Sequence, residues 1–88
     1  MNGEPWMGAT DNYLREVIQL LMDRASEAKS RRDAARKSGD KLQAAFEEGR
    51  TNGYYEVVST ILGQLDTFGI ARTSVGVSPR FDPAREIL

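Results

Sequence analysis

The chain has 88 residues, with 12 lysines and arginines against 13 aspartates and glutamates, for a formal net charge of −1. It contains no cysteine and no histidine, which excludes disulfides, thiolate metal sites and imidazole acid–base chemistry; no arrangement of the remaining carboxylate, lysine, serine or tyrosine groups stands out as catalytic. A single core of this size gives only modest stability, so oligomerisation is a question from the outset.

Met1 to Thr10, with Gly3, Pro5 and Gly8, has no hydrophobic period and reads as a flexible or loosely docked arm whose anchors are Trp6 and Met7. It lacks the apolar run of a secretory signal. The longest apolar stretch in the chain, Tyr54 to Leu65, is interrupted by Glu56, Ser59 and Thr60 and falls short of the roughly 20 residues a membrane helix needs. A soluble, cytoplasmic protein without membrane contact is expected.

Asp11 reads as the N-cap of a first helix over 11–38. Leu14, Val17, Ile18, Leu21, Met22, Ala25, Ala28 and Ala35 recur at steps of three and four on its apolar face. That face is bulky near Leu14 to Met22 and small from Ala25 onward, which lets another backbone approach. Gly39 is placed to end the helix at C′, with Arg36 and Lys37 favourable in the last turn.

Asp40 then caps a second helix over 41–68, with Gln43 as its capping-box partner. Gly69 fits C′, and Ile70 at C″ suits a Schellman contact with Leu65. A short connection of this kind joins antiparallel neighbours. Gly49-Arg50-Thr51-Asn52-Gly53 also admits a turn; a continuous or mildly kinked helix is the expectation, because a lone strand here would lack a partner.

The segment 71–88 reads as a tail. Val75 and Val77 suggest a short strand-like contact, and Asp82-Pro83 starts one terminal helical turn, docked by Phe81, Ile87 and Leu88.

Folding the helices about the connection pairs positions whose numbers sum to about 77 or 78. Gly49 then lies opposite Ala28, Gly53 opposite Ala25 and Val57 opposite Leu21, so Ala25, Ala28, Gly49 and Gly53 become the close helix–helix packing residues. From Tyr54 onward a second flank, Tyr54, Tyr55, Val58 and Leu62, widens the apolar arc to roughly 160°. One partner helix does not cover that arc, and the expectation is an all-α antiparallel hairpin that dimerises into a four-helix bundle, with this flank at the subunit interface.

Phe46, Gly49-Arg50, Gly53-Tyr54-Tyr55-Glu56-Val57 and the ending Phe68-Gly69-Ile70 form a pattern that resembles the second helix of short, uncharacterised bacterial helical proteins. The resemblance covers roughly a third of the chain, implies a bacterial helical protein, and supplies no activity, cofactor or site residues.

Arg24 to Lys41 carries seven basic and three acidic side chains. Lys29, Arg31, Arg32, Arg36, Lys37 and Lys41 cluster about the hairpin tip, where they suit nucleic-acid phosphates or, more simply, a solvated helix end. Glu47, Glu48 and Glu56 have no metal-ligand spacing and read as exposed charge. The reading that follows is a non-enzymatic, self-associating interaction or adaptor protein with no catalytic, cofactor or metal residues. The alternative is a small nucleic-acid-binding regulator that uses the basic tip.

Overall fold

The computed structural model describes the backbone of residues 5–88 and the side chains of residues 8–88. Two long helices, α1 (Pro5–Ser38) and α2 (Lys41–Thr67), fold back on each other; a 3-10 turn over Arg72–Val75 and a short α3 (Pro83–Glu86) follow. The described residues contain no strand, and the molecule is an all-α hairpin measuring 55 × 22 × 17 Å.

The hairpin connection forms because Gly39 takes the left-handed conformation, φ 79°. This lets Asp40 N donate to the Ala35 carbonyl at 2.9 Å and Gly39 N to Arg36 at 3.3 Å, the two bonds of a Schellman ending. Asp40 Oδ1 then accepts from Gln43 N at 3.0 Å and starts α2. Only half of the expected capping box forms, since the Gln43 amide donates instead to Glu47 Oε2, 2.8 Å away. At the far end, Gly69 at φ 69° allows Ile70 N to reach the Leu65 carbonyl at 2.8 Å. That is the ending expected, on the residues expected, with Thr67 and not Phe68 as the last helical residue.

One boundary differs from expectation by several residues. Helix α1 begins at Pro5, not after Asp11, so the part of the arm from residue 5 is helical and Asp11 caps nothing. Proline at the first helical position costs no hydrogen bond and presets φ, a start signal stronger than the later aspartate. The anchoring role expected of Trp6 and Met7 falls on side chains outside those described. In α2, Gly49 and Gly53 lie inside an unbroken helix and neither has a positive φ; the turn reading of this stretch does not hold.

The helices meet along a seam. On α1 the inward positions are Leu14, Ile18, Leu21, Ala25, Ala28, Arg32 and Ala35; on α2 they are Ala44, Glu47, Thr51, Tyr54, Val58, Ile61 and Leu65. Both lists alternate steps of four and three, the spacing of helices that wind gently about each other. Toward the open end the seam is apolar. Toward the tip it is made of alanines together with buried Arg32, Glu47 and Thr51.

The tail completes the apolar half. Val75, Val77 and Ile87 are buried in the same cluster as Ile18, Val58, Leu62 and Leu65, with Phe81 packed against it. The valines arrive from a 3-10 turn, not a strand-like segment, because Gly76 at φ 82° closes the turn and Val77 N bonds to Arg72 at 3.0 Å. Arg72 grips Asp66 through Nη2 at 2.8 Å and Nε at 3.3 Å, and the hydrogen bonding to Asp66 pushes its pKa up. The terminal turn forms as expected, with Asp82 Oδ1 accepting from Ala84 N at 3.1 Å; Leu88, expected to dock, stays exposed.

Candidate interaction surface

The tail occupies one flank of the hairpin. Phe81, Glu86 and Ile87 border a depression with Gln19, Met22, Asp23 and Ser26, and Val75 and Gly76 border another with Asn12, Arg15, Glu16, Gln19 and Leu20. Lys29 Nζ donates to the carbonyls of Arg85 and Glu86 at 3.3 and 3.4 Å, placing a cation at the C-terminal end of α3.

The other flank is bare. On α1 it carries Val17, Leu20, Leu21 and Arg24 around a shallow depression; on α2 it carries Arg50, Gly53, Tyr54 and Val57 around a second, adjoining Thr60 and Ile61. At 100° per residue this side of α2 runs into an outward line of Leu42, Phe46, Gly49, Gly53 and Val57. Leu42 is 87% exposed, Phe46 61% and Val57 45%. Large apolar side chains aligned on one side of a small protein mark an interaction surface more clearly than the same residues scattered singly.

The faces of α2 are therefore exchanged relative to expectation. Val58 and Leu62, assigned to a subunit interface, are each 2% exposed in the core of a single chain, and Tyr54 and Tyr55 are half-buried beside them. Gly49 and Gly53, assigned to packing between α1 and α2, point outward, and an added Cβ at either meets nothing within 4 Å. Ala25 and Ala28 are fully buried, as close packing against α2 requires. They face the line of Glu47, Thr51 and Val58, not the glycines. The physical reason is that the seam near the tip tolerates polar residues whose hydrogen bonds are satisfied within their own helix.

Glu47 shows how. Buried to 1% exposure, its carboxylate accepts from Arg50 Nη1 at 2.7 Å and Gln43 Nε2 at 2.8 Å, while Thr51 Oγ1 donates to the Glu47 and Glu48 carbonyls, each at 2.9 Å. The expectation of an exposed Glu47 fails for this reason. Arg50 also lies over the Tyr54 ring, 5.8 Å from its centroid; Tyr54 and, after it, Glu47 push the Arg50 pKa up.

The basic residues do not form one surface. Lys29 holds the tail, and Arg32 is buried with Nε 3.1 Å from Asp33. Arg31 pairs with Glu27 at 3.4 Å and Arg36 with Glu48. Lys37 and Lys41 remain exposed at the tip. Among the described residues no group of histidine, cysteine, aspartate or glutamate is placed to hold a metal ion, and no helix is long and apolar enough to cross a membrane. No protein-family model, curated protein or solved structure matches the chain.

Proposed function

We propose that the chain is a non-enzymatic helical interaction protein that self-associates through the flank the tail leaves bare. The observation that carries this reading is the exposure of Phe46 and Val57 on that side of α2, with the half-buried Val17 and Leu21 on the same side of α1 and Leu42 exposed nearer the tip. A core built from two helices and a short tail buries few large side chains, and covering this flank adds apolar burial worth about 25 cal/mol per Å². Because a partner that binds only the folded state stabilises it by mass action, the thermal midpoint should rise with protein concentration. A midpoint that stays constant over a hundredfold dilution series starting from high micromolar protein would count against self-association.

A further inference from the structure

We infer that two copies associate about a two-fold axis with α2 lying antiparallel on α2 of the second copy and Gly53 at the crossing. This rests on the self-association reading and adds the geometry of the contact.

Size makes a second hairpin a fitting occupant. The bare flank is two helices wide, and α2 with its 27 residues is about 40 Å long, so the flank spans about 20 by 40 Å. That is comparable with the roughly 800 Å² each partner contributes to a standard interface. A formal charge of −1 puts little repulsion in the way.

A two-fold contact needs a surface complementary to itself. Turned end for end about Gly53, α2 sets Phe46 of one copy over Thr60 of the other, bulky against small on both sides of the axis. Gly53 lies within one residue of the middle of α2 (Lys41–Thr67), so this crossing overlaps nearly the whole helix. On α1, the hairpin places Ala25 and Ser26 level with Gly53, and the same axis brings Arg24 opposite Glu27 of the second copy, twice. Among the described residues of its own chain, Arg24 has no ion-pair partner.

The glycines fit this arrangement. Each costs a helix interior about 1 kcal/mol relative to alanine, and in one chain neither backbone conformation nor a neighbouring atom asks for glycine at 49 or 53. A second helix crossing at Gly53 uses the missing side chain there for close approach.

Cysteine cross-linking in the full chain, which has no cysteine of its own, tests the geometry. Gly53→Cys brings two thiols together at the axis and should form a covalent dimer under mild oxidation at least about tenfold faster than Gly63→Cys, since a disulfide needs Cα atoms within about 7 Å. Gly63 is equally open to solvent but lies far from its symmetry mate. Gly53→Leu should give a helical monomer by circular dichroism and light scattering. If the wild type is dimeric while Gly53→Cys cross-links no faster than Gly63→Cys and Gly53→Leu stays dimeric, the geometry is wrong and self-association stands. A wild type monomeric throughout overturns both.

Discussion

Arg50 reaches one turn back along α2 and sets Nη1 2.7 Å from Glu47 Oε1, so the buried carboxylate on the seam is neutralised from its own helix and not from α1. Gln43 supplies the second donor from the turn before. Burial of an ion pair rarely adds net stability, because desolvation offsets the attraction.

Because Arg50 is 27% exposed and its guanidinium can turn to solvent, replacing Glu47 by leucine should change the unfolding free energy by no more than about 1 kcal/mol. Glu47→Ala, which removes the buried stem and leaves a void, should lower it by about 1–3 kcal/mol. Urea denaturation of both variants against the wild type measures this. A large loss for leucine would mean that α1 contributes a partner to the carboxylate.

Adjacent valines separate the two faces of α2. Val58 is 2% exposed and Val57 45%. Val58→Ala should cost about 1.5–3 kcal/mol of unfolding free energy, and Val57→Ala within about 0.5 kcal/mol when measured at concentrations where the chain is monomeric. Equal costs would show that the helix sits at a different rotation.

That rotation is what the sequence conveys least well, while the hairpin connection and the end of α2 are plain in it. Gly39, Asp40 and Gly69 act through local backbone geometry, and their hydrogen bonds form as their spacing implies. Facing depends on the partner helix. Small residues at 49 and 53 align with Ala28 and Ala25 and make a consistent register, but a polar seam of Arg32, Glu47 and Thr51 runs where that register demands alanine or glycine. Glu47 escapes notice because its rescue comes from Gln43 and Arg50, four residues before and three after, each of a kind common on the solvated side of a helix. The wide apolar arc was legible. Which part of it a single chain covers was not, since that depends on the tail, whose valines pack through a 3-10 turn.

Glycines should divide into two classes. Gly53→Ala, in an unbroken helix with open space around it, should stabilise the monomer by about 0.5–1 kcal/mol. Gly39→Ala, at φ 79°, should destabilise it by about 1–2 kcal/mol, because a β-carbon disfavours the left-handed conformation. Thermal unfolding of the pair distinguishes them by the sign of the shift.

The tail depends on Ile87, 2% exposed at the end of α3. Ile87→Ala should lower stability by about 2–4 kcal/mol if the tail unfolds with the hairpin. Should the tail release first, the loss will be smaller and proteolysis between Ser78 and Asp82 will speed up. Lys29→Met, which removes the donor to the Arg85 and Glu86 carbonyls, should accelerate the same cleavage without changing helix content. Unchanged proteolysis in both variants would mean that neither residue holds the tail.

The bare flank as an association surface is tested most directly by light scattering coupled to size exclusion on the wild type and Val57→Glu, run at matched micromolar concentrations. The wild type should elute at twice its 9.8 kDa chain mass, and Val57→Glu, with a charge on the exposed line and the core untouched, at the chain mass with full helicity. A wild type of 9.8 kDa at every concentration, or a Val57→Glu variant as dimeric as the wild type, would contradict the assignment.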